Sequence, residues 1–195
     1  MRTSGSIAEM QRTVPGGSWC RLLEPEADLA TLLELAIGAT LCSAVFTLWV
    51  VATPLNFGSL DDFGLATIVV IAIVVALLHE FMHVWAFPRL DGGPRAVVHF
   101  SLRLILYASY DGVVSRERYL AVLVAPLAVV SLLPLLLASL SATTPGLLLA
   151  ISLLNALASS GDVLTFVLVA CQVPRGCEIR SGTDTLAWKY RQAVA

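Results

Sequence analysis

Four long apolar stretches constrain the fold of this chain more than any other feature of its sequence. Each has roughly 23–26 residues, which is enough to cross a hydrocarbon core about 30 Å thick with some tilt. The chain is 57% hydrophobic and 13% charged, whereas soluble domains are about 25% charged. We therefore predict an all-α polytopic membrane protein with about four transmembrane helices, at about residues 29–53, 65–87, 116–140 and 147–171.

The segments around these stretches are polar. Residues 1–27 and 174–195 read as N- and C-terminal tails, and residues 28–173 as one membrane-embedded domain. Between the second and third apolar stretches, apolar and polar residues alternate from Val98 to Leu104, which is the period of a β-strand. We expect a small β-hairpin or extended loop there, between helices two and three, with Tyr107 to Tyr110 as a continuation or a return strand.

Arginine and lysine predict the orientation. They occur before the first span, between the second and third spans, and after the fourth, while the two other loops have none. By the positive-inside rule, both termini and the central loop are cytoplasmic, and we expect a prokaryotic plasma membrane. The basic residues are scattered without interleaved aromatic residues, so nucleic acid is not an expected partner.

The second apolar stretch contains the motif H-E-x-x-H, at His79, Glu80 and His83. Two histidines four residues apart share one face of a helix and can bind one zinc ion. The glutamate between them can act as the general base that takes a proton from the attacking water. Read as core residues without a metal, two histidines inside a membrane span would be costly.

Asp162 in the fourth span is the expected third zinc ligand. It lies about nine residues, or roughly 13 Å, from the cytoplasmic end of its span, and His79 lies about eight residues, or roughly 12 Å, from the end of its own. The two spans run in the same direction, so these side chains reach the same depth. A bare carboxylate there costs at least ~2.5–3.5 kcal/mol, which a zinc ion would remove. Pairing of Asp162 with a histidine without zinc is the alternative.

Asn155 and Ser159 share one helical face with Asp162, because the three residues are spaced by four and three positions. Asn155 could bind substrate or the oxyanion that forms as water attacks, or serve only in helix packing. Ser159 could orient Asp162 by a hydrogen bond or permit close packing. Glu34, near the start of the first span, reads as an interfacial residue or as a functional acid.

Taken together, these two motifs resemble those of intramembrane zinc metalloproteases of the site-2 protease type. The chain is similar also to small four-helix membrane proteins known as putative zincin peptidases, over roughly residues 60–175. The resemblance implies zinc ligation by His79, His83 and Asp162, with Glu80 as general base. It also implies a surface β-structure that pairs with an unwound substrate. The sequence departs from the site-2 protease pattern at Ser159, where a proline is usual, and at Gly161, which precedes the aspartate instead of following it.

The predicted function is hydrolysis of peptide bonds in membrane-protein or peptide substrates, within the bilayer or at its surface, with zinc as cofactor. The lipid bilayer is the other expected partner. The alternative is a catalytically silent membrane scaffold or partner protein that binds metal. A transporter that uses the polar cluster for a metal or proton is a weaker third interpretation, because the chain has no internal repeat of the kind common in transporters.

Overall fold

The computed structural model describes residues 19–53, 64–88, 96–99, 107–110, 112–140, 146–181 and 186–191. Most of the predicted N-terminal tail, the loop after the first span and most of the predicted strand, from residue 100 onward, lie outside these ranges. Helices make up most of the described chain: α1 (Ala27–Ala52), α2 (Leu65–Ala86), α3 (Arg116–Pro126), a π-helical turn (Leu127–Leu132), α4 (Leu133–Ser139), α5 (Gly146–Ala158) and α6 (Ser160–Gln172).

Three described helices are long and apolar enough to cross a membrane. They are α1, α2 and the continuous stretch Arg116–Ser139, and the pair α5 and α6 gives a fourth if it counts as one span. Large apolar side chains are exposed on these helices, among them Val51 and Leu65 at about 80% each. Such extensive exposed apolar surface is unfavourable in water and is consistent with a membrane protein.

The predicted fourth span is not one straight helix. Helices α5 and α6 are bent by 44° at Ser159, whereas a single helix was expected over residues 147–171. The Ser159 hydroxyl donates to the backbone carbonyl of Asn155, 2.9 Å away. A serine that bonds back to the carbonyl four residues earlier often bends a helix.

The third span contains a π-helical turn between its two prolines. Pro126 is the last residue of α3 and Pro134 lies at the start of α4. Each proline removes the N–H that would bond to the carbonyl four residues earlier. A kink at these prolines was expected. The chain continues from Arg116 to Ser139 as one apolar span with a wider turn at its centre, and the kink stays a prediction.

Helix α1 packs closely against the bend of the α5–α6 pair. A Cβ atom on Gly38 would lie 2.9 Å from Leu157 Cδ1 and 3.5 Å from Ser160 Cβ, so a larger residue would require the Leu157 side chain to move. A second contact lies further along α1, where buried Trp49 donates from Nε1 to Ser152 Oγ over 3.0 Å. These contacts hold α5 in the interior of the helix bundle.

The described strands form two antiparallel sheets, from β1 (Cys20–Arg21), β2 (Ala96–His99), β3 (Tyr107–Tyr110), β4 (Val113–Ser115), β5 (Cys177–Ser181) and β6 (Leu186–Tyr190). Strands β2 and β3 pair with each other, with Ala96 opposite Tyr110 and His99 opposite Tyr107. This pairing confirms the predicted β-hairpin between helices two and three. It also identifies Tyr107 to Tyr110 as the return strand.

The four other strands form a sheet that the sequence analysis did not predict. Their order is β1-β6-β5-β4. Ile179 and Trp188 on its inner face are buried, and they pack with Val114, Tyr119 and Val169. The predicted C-terminal polar tail is therefore largely a β-hairpin that covers one end of the helices.

Candidate metal centre

Helix α2 presents its two histidines to the interior of the protein. His79 and His83 are one helical turn apart, and both are buried. Their Nε2 atoms are 3.2 Å apart. Glu80 is half-buried beside them, and one potential ligand atom from each of the three residues lies within 4.8 Å of the others. The H-E-x-x-H motif therefore forms one compact group of potential metal ligands.

The bend between α5 and α6 precedes Asp162, which lies against the two imidazoles. Its Oδ2 is 3.0 Å from His79 Nε2, and its Oδ1 is 3.3 Å from His83 Nε2. Asp162 stands in the first turn of α6, where free backbone N–H groups and the helix dipole favour a negative charge. The structure thus brings together the three side chains predicted as zinc ligands.

A free carbonyl of α3 orients the ring of His83. Its Nδ1 lies 3.1 Å from the carbonyl oxygen of Val122. In a regular helix that oxygen would accept the N–H of residue 126, but Pro126 has none. Because a carbonyl oxygen can only accept, His83 Nδ1 donates its proton to Val122. The neutral ring therefore carries a lone pair on Nε2.

Asn155 imposes the same tautomer on His79. The Asn155 Nδ2 donates to the Pro126 carbonyl at 3.0 Å and to Ser131 Oγ at 2.8 Å. These contacts set the orientation of the amide, because the Pro126 oxygen can only accept. The Asn155 Oδ1 then accepts from His79 Nδ1, 3.0 Å away. The neutral His79 ring also presents an unprotonated Nε2 to the interior.

The facing atoms of this cluster fit a cation. With both rings neutral, two unprotonated nitrogens and a carboxylate point at one another, which is repulsive without a positive charge between them. Asp162 Oδ2 is buried and lies 3.0 Å from His79 Nε2, but it accepts no hydrogen bond from the described residues.

Geometry and ligand chemistry favour zinc as that cation. The separations of 3.0, 3.2 and 3.3 Å are close to the about 3.3–3.4 Å between tetrahedral ligands at the usual zinc distances of about 2.0–2.1 Å. Imidazole and carboxylate are both zinc ligands. The residues present therefore fit a zinc ion between His79, His83 and Asp162.

Glu80 faces the hairpin that follows α2. Its carboxylate accepts a hydrogen bond from the backbone N–H of Ala108 in β3. The general base predicted from the motif therefore stands between the histidines and a β-strand. A group that approaches the histidines along β3 would pass Glu80.

The two other predicted site residues have different contacts from those expected. Asn155 is fully buried, and both its donor and acceptor groups are used by His79, Pro126 and Ser131. The amide therefore orients a histidine and has no donor left for substrate or oxyanion. Ser159 bonds to the carbonyl of Asn155 instead of to Asp162, so it shapes the bend that precedes the aspartate.

Sequence reasoning missed the part of the third span that supports the histidines. Val122, Pro126 and Ser131 contact His83 or Asn155, yet the sequence analysis assigned no site residue to this span. A proline inside an apolar span was the available signal, because it always leaves the carbonyl four residues earlier without its usual partner.

Comparison with known protein families is consistent with this geometry. A protein-family model described as putative zincin peptidase matches residues 72–178, more than half of the chain, a range that includes the H-E-x-x-H motif and Asp162. No curated protein and no solved structure matches the chain. Zinc is the metal that this family description implies. On this match, the chain belongs to the putative zincin peptidase family.

Proposed function

We propose that this protein is a zinc metalloprotease that hydrolyses peptide bonds of membrane-protein substrates, within the bilayer or at its surface. The observation that carries the proposal is the convergence of His79, His83 and Asp162 beside Glu80. Membership of a zincin peptidase family and the apolar helices support it. The motifs of this sequence resemble those of site-2 proteases, and we propose the same type of reaction by analogy.

The residues divide the chemistry between them. Zinc bound at this site would act as a Lewis acid on a carbonyl group and on a water molecule. Glu80 takes the proton from the attacking water and delivers it to the leaving amine. Asn155 and the Val122 carbonyl keep both Nε2 atoms directed at one point, so the site is organised before substrate arrives.

Strand β3 is the proposed binding edge for the substrate. Among the described strands it pairs with β2 alone, and the Ala108 N–H points away from β2 toward Glu80. An extended peptide added to this edge would gain backbone hydrogen bonds and would lie beside the general base. A helical substrate must unwind to bind in this way. By the positive-inside rule, the site opens toward the cytoplasmic side.

Substitution of Glu80 by glutamine tests the function most directly. In membranes that contain the full chain and a co-expressed membrane-protein substrate, we expect Glu80→Gln to keep bound zinc and to reduce cleavage about 10²–10⁴-fold, the usual contribution of a general base. His79→Ala should lose both zinc and cleavage. Glu117→Gln is the matched control, because Glu117 is exposed and should leave both unchanged.

Two results would contradict the proposal. Cleavage that persists in Glu80→Gln would exclude Glu80 as the base. A wild-type protein that binds zinc stoichiometrically but cleaves no membrane substrate would favour the silent metal-binding scaffold.

A further inference from the structure

A small cavity opens beside the zinc-facing atoms of His83 and Asp162. Helices α2, α3 and α6 and strand β3 line it, and its volume is about 140 Å³. An apolar cavity of about 150 Å³ can hold one benzene molecule. The space therefore suits one side chain of the size of leucine or phenylalanine, and is too small for a folded peptide segment.

The wall of the cavity away from the histidine and aspartate combines apolar groups with two hydroxyls. Phe87, Tyr119 and Leu123 line it and are buried, and the hydroxyls are those of Tyr119 and Thr165. Apart from His83 and Asp162, which would bind zinc, the described residues of the lining include no charged side chain. A charged side chain placed here would lose its hydration without gaining an ion pair on this wall, so the cavity favours an uncharged, apolar occupant.

The cavity also lies where a bound peptide would pass. Ala108 of β3 lines it, and the backbone N–H of the same residue bonds to Glu80. A peptide bound along the open edge of β3 would therefore meet the general base and the mouth of the cavity at the same position, next to Ala108. Side chains alternate in direction along an extended chain, so one side chain next to the scissile bond can enter.

We propose that this cavity is a specificity site that takes one apolar side chain, of leucine or phenylalanine size, from the residue flanking the scissile bond. The inference rests on the proposed protease function, because only that function makes a substrate side chain the natural ligand of the cavity. A small molecule that binds zinc and carries the same apolar group should also fill the cavity. Binding measurements alone can therefore test the site.

Hydroxamic acids of different size are suitable probes, because each combines a zinc-binding group with one side chain. The zinc-loaded full chain in detergent micelles is titrated by calorimetry with acetohydroxamic, 4-methylpentanohydroxamic and 4-aminobutanohydroxamic acids. We expect the branched apolar probe to bind at least about tenfold more tightly than the acetyl probe, as burial of one leucine-sized group predicts. The ammonium probe should bind no better than the acetyl probe.

Two variants fill the cavity from different walls, so that a folding defect in one does not decide the result. In Leu123→Trp and in Ala108→Leu, the branched probe should lose its advantage, while the acetyl probe binds as in the wild type. The matched control is Val124→Trp, since Val124 is adjacent on α3 but exposed and outside the lining. It should retain the advantage of the branched probe, and it also controls for partitioning of that probe into micelles.

The outcomes separate this inference from the proposed function. If the branched probe gains nothing over the acetyl probe, or if both filling variants keep its advantage, the cavity is not a specificity site. If the probes behave as expected and the wild type cleaves no membrane substrate, the site is supported and the protease function fails. If cleavage occurs and its side-chain preference is the same in both filling variants, the inference is overturned while the protease function stands.

Discussion

At the scale of single residues, the site depends on which nitrogen of each histidine carries the proton. His79 and His83 both donate from Nδ1, one to Asn155 and one to the Val122 carbonyl. A hydrogen bond of this kind fixes the ring and leaves the other nitrogen free for a metal. Of the two acceptors, Asn155 uses its side chain and Val122 its backbone. Replacement of Asn155 therefore tests whether the hydrogen bond to His79 matters, without changing a proposed zinc ligand.

Replacement of Asn155 by alanine should weaken zinc binding. His79 would lose its acceptor and its fixed orientation, and loss of such a partner typically lowers metal affinity 10–100-fold. The dissociation constant can be measured by competition with a chromogenic chelator on purified protein. Ser139→Ala is the control, because this exposed serine bonds to the Leu136 carbonyl of α4 and not to the residues around the histidines, and zinc affinity should change little.

The same variant separates the two roles considered for Asn155. An oxyanion-binding amide would leave zinc affinity intact and lower the rate of cleavage. If Asn155→Ala binds zinc as tightly as the wild type but cleaves more slowly, the orienting role is wrong.

At the scale of elements, the interruption in the third span makes a carbonyl group available. Pro126 leaves the Val122 oxygen for His83, and its own oxygen, at the start of the π-helical turn, also accepts from Asn155. A regular helix would use the Val122 oxygen internally. The interruption that would weaken an isolated helix is therefore what supports the two histidines.

Replacement of Pro126 by alanine should separate stability from metal binding. The new N–H can bond to the Val122 carbonyl and restore regular helix, so thermal stability should be unchanged or higher, since an interior proline costs about 3 kcal/mol in a helix. His83 would then compete for its acceptor, and zinc affinity should fall about tenfold or more. Thermal unfolding of the zinc-free protein and zinc competition measure the two effects.

Pro134→Ala is the matched control for this experiment. Pro134 lies eight residues further along the same span and is also buried. The carbonyl that it leaves without a helical partner belongs to Val130. Among the described residues, this carbonyl makes no hydrogen bond to either histidine. Zinc affinity should not change. An equal loss of affinity in both proline variants would mean that helix geometry in general, and not the Val122 carbonyl, supports His83.

The sequence brought together the candidate ligands, but it did not indicate which residues contact them. Helical spacing fixes the separation of His79 and His83, and matched depth brought Asp162 to them from another span. The contacts of Asn155 could not be derived, because Pro126 and Ser131 lie on another helix and only the packing of α5 against the third span brings them to the amide. Strand β5 left a weaker signal, since Cys177 and Ile179 alternate with polar residues, but five residues are too few to distinguish a strand from a polar tail.

Cys177 tests whether that strand is buried as described. Burial raises the pKa of the Cys177 thiol above its ordinary value, because the thiolate would lose its hydration. The thiolate is the reactive form, so iodoacetamide should modify the folded protein slowly near pH 8 and faster as the pH rises further. The measurement uses a protein in which the other three cysteines are serine. The same protein in denaturant is the control, and identical pH profiles in both states would contradict the burial of β5.

At the scale of the whole molecule, the four-stranded sheet joins segments that are far apart in sequence. Strand β1 precedes α1, β4 precedes α3, and β5 and β6 follow α6. These segments therefore lie at the same end of the helices. Arginine and lysine occur in these three segments and are absent from the two other loops, which predicts that the three segments lie on one side of the membrane. The sheet supports that grouping, and the charge rule adds the expectation that this side is cytoplasmic.

Single cysteines at opposite ends of the helices test this orientation. Gly64 precedes α2, and a side chain there would meet no described residue within 4 Å; Tyr190 ends β6 and is 66% exposed. In a cysteine-free background, a membrane-impermeant maleimide added to intact cells should label Gly64→Cys. It should label Tyr190→Cys only after the membrane is permeabilised, because the polar reagent cannot cross the apolar core. The reverse pattern would place the sheet outside the cell, and labelling of both sites in intact cells would mean that the helices do not separate them across a membrane.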